Sequence, residues 1–410
     1  QGLISSLCKT GDRTKLKNWR PITLLNTDYK ILTKALANRL QQTLPLLIHT
    51  DQTACIPGRT INDNLRLIQD AIHYANKTQT PLAIISVDQL KAFDRVSHDY
   101  LFKILRKFGF GPSFLQWIEI LYTDTMSSVK VNGWMTAFIP LQRGLRQGCA
   151  LSMPLYILTT KLFAIHIRLN DNIKGLSYPK SMLKISQYAD DTILLLVDDN
   201  SIHETFKIFN SYEYASGAKI NVTKCKGLWS GSLANRNYSP ANFDWFNDQF
   251  PDKILGIYIG NHDCTTKNIE HKIHRISNTI AAWKHKDLSL KGRVLIINGL
   301  LTSALWYYAT NISLPDWAIN DIETQIYNFL WNNKRPLLTR DLLSLPLSEG
   351  GLNIPRIATK IQALRINTVR RLLDAEQAHR KHFTSHFLRL SNMDTGKHTL
   401  CLSYTIQQID

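Results

Sequence analysis

One short segment, residues 188–191 (Tyr-Ala-Asp-Asp), limits the folds open to this chain more than any other feature. It lies between residues 184–187 and the β-branched, aliphatic run 192–197, and both flanks are typical of β-strands. The sequence therefore predicts a hairpin whose tight turn carries two adjacent carboxylates. Such like charges beside an apolar core are unfavourable unless a cation neutralises them, and hard divalent cations take oxygen ligands. A solvated turn is the ordinary alternative for an isolated pair of aspartates.

A second acidic residue, Asp88, ends the apolar run 81–87 far upstream of this segment. Beyond it, Ser97 is a good N-cap for a helix whose apolar residues recur at helical spacing as far as Phe108. Carboxylates that follow strand ends are often catalytic. Two of them on different strands can hold a pair of Mg²⁺ ions roughly 3.5–4 Å apart for an in-line phosphoryl displacement. For Asp88 alone, the alternative is a strand-end cap.

The charge of the chain indicates a polyanionic partner. The 410 residues carry a formal net charge of +17, and a composition of 44% hydrophobic and 20% charged residues is that of a globular protein. Lysine and arginine cluster at 9–39, 267–293 and 334–380. Nucleic acid is the simplest partner, although basic proteins also bind acidic membranes. Basic clusters that flank an acidic centre predict a nucleic-acid cleft.

Cysteine usage and hydropathy exclude several classes of protein. Six cysteines without a CxxC pair argue for reduced thiols and against a disulfide framework or a zinc ribbon. Around Cys401, the histidines at 379, 382, 386 and 398 complete no convincing ligand set. The apolar stretch 294–309 is interrupted by Asn298 and is too short to span a membrane, so it predicts a buried helix. The chain opens with no signal peptide, and Gln1 suggests a fragment or an excised domain.

Periodicity divides the chain into three kinds of segment. Helices are predicted at 28–44 and 62–75, and strands alternate with helices from 81 to about 262, with a strand and turn at 129–134 and a long helix at 151–169. From about 263 onward the pattern is helical.

Seven blocks in a fixed order together resemble one known family. The blocks comprise 9–12 with 18–26, 52–61, 88–96, 143–152, 188–191, 216–224 and 255–257. They resemble the reverse transcriptase of LINE-type (non-LTR) retrotransposons. The resemblance implies an α+β right-hand polymerase with fingers, a palm that combines an antiparallel sheet with helices, and a helical thumb. The expected domains are fingers 1–80, palm 81–262 with fingers insertions, thumb 263–345 and the start of a connector at 346–410.

The chemistry of the site leads us to expect Asp88 and Asp190 as principal metal ligands, Asp191 as a supporting carboxylate, and the backbone carbonyl of Gln89 as a further ligand. Two Mg²⁺ ions are expected, with Mn²⁺ as a possible substitute. Asp94 lies past the strand end, and we expect it to cap a helix rather than bind metal.

Two cations of the presumed fingers hairpin match the family's triphosphate-binding residues. Arg20 would grip phosphate oxygens in bidentate fashion and Lys9 would act as a point charge, with Lys15 and Lys17 as alternatives for Lys9. Lys224 resembles the lysine that protonates departing pyrophosphate, with Lys226 as its competitor and a plain surface lysine as the alternative.

Four further residues are expected on the substrate side. By resemblance, Phe93 excludes a 2′-hydroxyl by its bulk, although it is alternatively a core residue. The amide of Gln147 would bridge the template base and the nucleotide sugar, and Gly148 permits close backbone approach. Tyr188 is expected to contact substrate.

The family resemblance implies an RNA-directed DNA polymerase that uses an RNA template, a DNA primer and deoxynucleoside triphosphates. No membrane and no obligate protein partner are expected, and the location would be intracellular, in a nuclear and cytoplasmic ribonucleoprotein. Departures from the family pattern at 54, 55, 89, 150, 153 and 161 remove no metal ligand. They leave open a decayed nucleic-acid-binding remnant, and a group II intron-type reverse transcriptase is the enzymatic rival.

Overall fold

The computed structural model describes residues 1–9, 11–178, 181–240 and 242–373, and these form an α+β fold. The strands are β1 (Gly2–Cys8), β2 (Trp19–Leu24), β3 (Leu82–Val87), β4 (Met126–Val131), β5 (Trp134–Met135), β6 (Ile139–Pro140), β7 (Leu176–Tyr178), β8 (Ser181–Leu183), β9 (Ile185–Tyr188), β10 (Asp191–Leu196), β11 (Lys226–Ser230), β12 (Asp244–Phe246), β13 (Asp252–Ile254) and β14 (Ile257–Ile259).

The α-helices are α1 (Thr27–Leu47), α2 (Ile61–Thr78), α3 (Ala92–Arg95), α4 (His98–Lys107), α5 (Pro112–Tyr122), α6 (Ser152–Leu169), α7 (Asp199–Ser216), α8 (Thr265–Lys284), α9 (Leu290–Ile296), α10 (Ser303–Asn311), α11 (Asp316–Leu330), α12 (Arg340–Ser344) and α13 (Ile357–Leu373). The helix predicted at 294–309 lies within a continuous helical segment, in which a π-helix, Ile297–Thr302, joins α9 to α10.

The described chain divides into two compact units, residues 1–64 with 72–246 and residues 65–71 with 247–373. The domain boundaries expected from the sequence stay predictions. Of the predicted connector, only the part up to residue 373 is described, and the histidines at 379, 382, 386 and 398 and Cys401 lie outside the described residues.

The first unit is built on a five-stranded sheet in the order β12-β11-β3-β10-β9. The central strand β3 runs antiparallel to both β10 and β11, and β9 and β10 form the predicted hairpin. All but one residue of β3 are buried, because side chains on both faces of this strand are covered. One face packs on α6 and α7 through Phe163 and Phe209, whose ring centroids are 4.2 Å apart.

A second sheet in this unit has the order β2-β1-β4-β5, with β6 paired to β4. Strands β1 and β2 form an antiparallel hairpin in which Arg20 lies opposite Leu7. Strand β1 also pairs in parallel with β4, Gly2 lying opposite Ser127. The sheet therefore brings the start of the chain beside residues more than a hundred positions downstream.

Helix boundaries follow local capping chemistry. The hydroxyl of Ser97 accepts a hydrogen bond from the Tyr100 amide (3.4 Å) and begins α4, as predicted. The carboxylate of Asp63 accepts from the Thr60 amide (2.8 Å) at the start of α2. The predicted helices at 28–44, 62–75 and 151–169 correspond to α1, α2 and α6.

The second unit comprises residues 65–71 of α2, the hairpin β13–β14 and helices α8 to α13, and residues of these six helices form one apolar cluster. The hydroxyls of Tyr307 and Tyr308 donate to the Leu255 (2.6 Å) and Gly256 (2.7 Å) carbonyls of the hairpin turn. Asn268 of α8 pairs with both backbone polar groups of Tyr258, at 2.9 Å each. Side chains from two helices thus hold the hairpin. Across the described ranges, no helix combines the length and the apolar character that crossing a membrane requires.

Candidate active site

The two acidic motifs lie at the same end of neighbouring strands. Ala189 and Asp190 form a two-residue turn, and Asp191 pairs with Tyr188 across the hairpin. In the next pairing, Thr192 of β10 lies opposite Val87 of β3. Asp191 immediately precedes Thr192 and Asp88 immediately follows Val87, so the antiparallel register places them at adjacent positions.

Loss of hydration around the carboxylates is the largest cause of the raised pKa values of Asp190 and Asp191, and repulsion by neighbouring carboxylates adds to it. Repulsion by Asp190 and Asp88 helps to raise the pKa of Asp191 to about 6, and Asp88 also raises the pKa of Asp190. Lys9 lowers both pKa values, and Arg20 lowers that of Asp190. The three aspartates therefore share one electrostatic site, and two cations of the β1–β2 hairpin act on it.

Asn221 orients Asp88, a role that the sequence did not reveal. Its side-chain amide donates to the Asp88 carboxylate (3.1 Å), and its backbone amide donates to the Asp88 carbonyl (2.8 Å). Next to this contact, Leu90 donates to the Lys219 carbonyl (2.8 Å), which completes a bridge between Gln89 and Ile220. Neither hydrogen bond of that bridge uses the Gln89 carbonyl, the oxygen that we expect to bind metal.

The aspartates do not form a closed cage for an ion. Within the described parts of the chain, no group of three or more His, Cys, Asp and Glu side chains is arranged to hold a metal ion. Mg²⁺ in phosphoryl-transfer sites is usually bound by one or two carboxylates, with water and substrate phosphates completing the shell. Coupled carboxylates with raised pKa values fit that open arrangement, because a cation would relieve their repulsion.

The two cations that we expect to bind triphosphate lie on β2 and just after β1. Arg20 is exposed on β2, and exposed Lys9 follows β1, where its amide donates to the Asn18 carbonyl (2.9 Å). One of the two alternative lysines, Lys15, pairs with Asp12 at 3.9 Å. The assignment of Lys9 and Arg20 to triphosphate oxygens stays a prediction, with Lys15 and Lys17 as alternatives for Lys9.

The Gln-Gly loop is attached to β2. The Gln147 carbonyl accepts a hydrogen bond from the Thr23 amide (2.8 Å). Gly148 has a φ of 113°, and a Cβ built at this position would lie 2.6 Å from the Thr23 carbonyl oxygen. Only glycine fits this close approach without strain.

The expected capping role of Asp94 is wrong. Its carboxylate accepts a hydrogen bond from the side-chain amide of Gln147 (3.0 Å), and Ser97 caps the following helix. Burial raises the pKa of Asp94, while the Gln147 hydrogen bond, Lys91 and Arg20 lower it. Asp94 therefore fixes the direction of the Gln147 amide.

Phe93 is half-buried and stacks on Tyr156, with ring centroids 4.4 Å apart. The buried Tyr156 hydroxyl donates to the side-chain oxygen of Gln89 (3.1 Å), and the Phe93 carbonyl accepts from the Leu145 amide (2.7 Å). These contacts fix the position of the ring at the exit of β3. They leave both interpretations of Phe93, steric gate and core residue, as predictions.

Lys224 and Tyr188 lie on opposite sides of the aspartates in sequence. Lys224 is exposed at the end of a short 3-10 helix, Val222–Lys224, directly after Asn221. Burial raises the pKa of the neighbouring Cys225 to about 11, while a backbone hydrogen bond with Asp88 lowers it and the charge of Asp88 raises it, so this segment lies beside the site. Tyr188 is half-buried against the apolar cluster that contains Tyr156.

Comparisons with known proteins identify the family of the chain. The family model described as reverse transcriptase (RNA-dependent DNA polymerase) matches residues 8–259. The chain is 37% identical over 379 residues to an uncharacterised 149 kDa protein of transposon TX1 from Xenopus laevis, covering 92% of this chain and 29% of that protein. It is 24% identical over 397 residues to the RNA-directed DNA polymerase from mobile element jockey of Drosophila melanogaster, covering 89% and 40%.

The solved structures show the fold alone. A telomerase from Candida tropicalis in complex with a fragment of telomeric RNA superposes with a TM-score of 0.51 at 12% identity, covering 93% of this chain and 64% of that one. The apo telomerase from the same organism gives 0.50 at 13% identity, covering 99% and 66%. The right-hand polymerase fold predicted from the sequence is thereby confirmed. On these grounds the chain belongs to the reverse transcriptase (RNA-dependent DNA polymerase) family.

Proposed function

We propose that this chain is the catalytic portion of a non-LTR retrotransposon reverse transcriptase, which adds deoxynucleotides to the 3′-hydroxyl of a primer on an RNA template. The observation that supports it is the shared electrostatic site of Asp88, Asp190 and Asp191, on which Lys9 and Arg20 act. Carboxylates gather divalent cations, and fixed cations grip the triphosphate. Both are needed for nucleotidyl transfer.

Two Mg²⁺ ions, or Mn²⁺ in their place, would be held by Asp88 and Asp190, with support from Asp191 and the Gln89 carbonyl. When bound, such ions activate the attacking hydroxyl and stabilise the leaving oxygen. The protein's own contribution is to hold the carboxylates in place. Asn221 does so for Asp88 through two hydrogen bonds.

The nucleotide would lie between β2 and the aspartates. Arg20 and Lys9 bind its phosphates, and the Gln147 amide, with its direction set by Asp94, meets the sugar and template base. Phe93 lies under the sugar. The close backbone contact at Gly148 fixes the loop against the fingers strand.

Two further residues complete the proposed site. Lys224 protonates the departing pyrophosphate as a general acid, with Lys226 as the competing donor. Tyr188 contacts substrate from the strand that precedes the turn.

The partners follow from the same proposal. They are an RNA template, a DNA primer and deoxynucleoside triphosphates, without a membrane or an obligate protein partner. The division into fingers (1–80), palm (81–262), thumb (263–345) and connector (346–410) is proposed for their binding. We also propose a nuclear and cytoplasmic ribonucleoprotein as the location.

Primer extension on an RNA template tests this function. Asp190→Asn removes one predicted metal ligand with little change in shape, so incorporation should fall to background while primer–template binding stays nearly intact. The matched control is Asp99→Asn, because Asp99 makes an exposed ion pair with Lys103 (2.7 Å), and such surface pairs contribute little. This control should extend primers like the wild type.

Two outcomes would contradict the proposal. Equal loss of nucleic-acid binding and incorporation in Asp190→Asn would mean that the residue is not specifically catalytic. A wild-type chain that binds primer–template in Mg²⁺ or Mn²⁺ but never extends it would instead favour the decayed binding remnant.

A further inference from the structure

The side chain of Gln52 forms hydrogen bonds with the turn that carries the two aspartates. Gln52 lies in the loop between α1 and α2 and is only 4% exposed. Its side-chain oxygen accepts hydrogen bonds from the Ala189 amide (3.0 Å) and the Ala54 amide (3.0 Å). Its nitrogen donates to the Ala189 carbonyl (3.4 Å). One buried amide therefore contacts both backbone polar groups of the residue before Asp190.

The loop around Gln52 is joined to β9 by its backbone. Gln187 donates to the Asp51 carbonyl (2.7 Å), and Thr53 donates to the Gln187 carbonyl (3.1 Å), which gives a parallel bridge between Gln52 and Gln187. Buried Asn64 reinforces it by donating to the Gln187 carbonyl (2.9 Å). The backbone of the loop that carries Gln52 is therefore held against β9.

The turn requires such support. Ala189 has a φ of 55°, in the left-handed region that a residue with a Cβ disfavours. A strained backbone of this kind persists only when its surroundings over-determine it. The next two residues are like-charged carboxylates that repel each other. A turn without an external partner would relax away from this geometry.

We propose that Gln52 is a positioning residue, which holds the backbone of Ala189 and so sets the direction in which Asp190 and Asp191 present their carboxylates to metal. Gln52 itself touches neither substrate nor metal in this role. The inference rests on the proposed polymerase function, and it concerns the support of the same site.

The variant Gln52→Met tests the contact directly, because methionine keeps the length and removes every hydrogen bond. Hydrogen exchange should become faster at the Ala189 amide in peptides that cover 185–196. The matched control is Gln325→Met, since Gln325 is a half-buried amide that donates to Asp321 (2.9 Å) and accepts from Ser277 (2.8 Å) in the other unit. This control should leave exchange at Ala189 unchanged.

Metal titrations test the consequence. Loss of a residue that orients metal ligands typically costs about 10- to 100-fold in metal affinity or activity. Gln52→Met should therefore raise the half-saturating Mg²⁺ concentration and weaken Mn²⁺ binding, measured by electron paramagnetic resonance, within that range. Affinity for primer–template should stay at the wild-type value. Gln52→Glu keeps the acceptor for both amides, and should lie between the wild type and the methionine variant.

A second substitution separates positioning from general stability. Glycine adopts a φ of +55° without the Cβ penalty. The double variant Gln52→Met with Ala189→Gly should therefore need less Mg²⁺ than Gln52→Met alone. If Gln52→Met does not fold, Gln52→Glu carries the same comparison.

The proposal would be overturned if Gln52→Met bound Mn²⁺ with wild-type affinity. It would also be overturned if, at matched melting temperature, Gln52→Met lost no more Mn²⁺ affinity than Gln325→Met. If instead the proposed polymerase function is wrong, the measurements give a different pattern. The wild type would then extend no primer, while exchange at Ala189 and Mn²⁺ binding would still report on Gln52.

Discussion

At the scale of single residues, Phe93 packs against a neighbouring ring and is also partly exposed to solvent. Its ring stacks on Tyr156 at 4.4 Å, and the side chain is only partly buried. A steric gate needs this combination, because bulk excludes a hydroxyl only when the ring cannot swing away. The stack supplies that rigidity.

We predict that Phe93→Ala lets ribonucleotides in, while deoxynucleotide incorporation falls less. The ratio of kcat/KM for matched ribo- and deoxynucleotides measures this effect, and thermal melting records the loss of packing, which for a fully buried phenylalanine is about 3–5 kcal/mol. Phe102→Ala is the control, since Phe102 is a half-buried phenylalanine against the same apolar cluster. A lowered melting temperature with an unchanged ratio would make Phe93 a core residue only.

Gly148 supports a second residue-scale prediction. A Cβ here would meet the Thr23 carbonyl at 2.6 Å, at a φ of 113°. Gly148→Ala should therefore push the Gln147 loop away from β2 and raise the KM for deoxynucleotides by about 10-fold or more, since small displacements at positioning residues are costly. Gly133→Ala has a positive φ of 89° but no neighbour within 4 Å. The Gly133→Ala control should therefore lower stability slightly and leave the KM for deoxynucleotides unchanged. An equal rise of this KM in both variants would contradict the predicted clash at Gly148.

At the scale of elements, helix α8 carries a buried cation. Lys272 is 7% exposed, and its ammonium lies 4.0 Å from the centroid of the Tyr308 ring. Burial, with repulsion by Arg275 and Lys253, lowers the pKa of Lys272 to about 8. In the unfolded chain a lysine titrates near its ordinary pKa of about 10.4.

The stability of this unit should consequently rise with pH between about 8 and about 10, because the unfolded chain binds more protons than the folded one in that window. Chemical denaturation at several pH values measures the slope. Lys272→Met should remove this contribution, whereas Lys284→Met, an exposed site on the same helix, should keep it. A slope that is unaffected by Lys272→Met would show that the lysine stays charged throughout.

The elements also show how far sequence reasoning reaches. The β9–β10 hairpin, the strand before Asp88 and helices α1, α2 and α6 follow local patterns, and those predictions are confirmed. Gln52, Asn221 and the Asp94 contact depend on partners 137, 133 and 53 residues away, which local spacing cannot reveal. The π-helix at Ile297–Thr302 gives no distinct periodic signal over so short a run.

At the scale of the whole molecule, the net charge of +17 makes a prediction about binding. Affinity for a primer–template should fall steeply with salt and depend little on sequence, because phosphate contacts release counterions, with a log–log slope of about −0.9 per neutralised phosphate on duplex DNA. Fluorescence anisotropy at several ionic strengths, with two unrelated sequences, measures it. A flat response would indicate a partner other than nucleic acid.

The sheet pairings also determine when the active centre can form during synthesis. Strand β1 can pair with β4 only after β4, which begins at Met126, has been synthesised. In the same way, β3 cannot be fully paired until β10 and β11 have been synthesised, and β11 ends at Ser230. Such long-range pairings make folding slow and leave strand edges temporarily open. We expect the nascent chain to hold no competent centre until most of the first unit has left the ribosome, so prematurely ended copies should be inert and prone to aggregate.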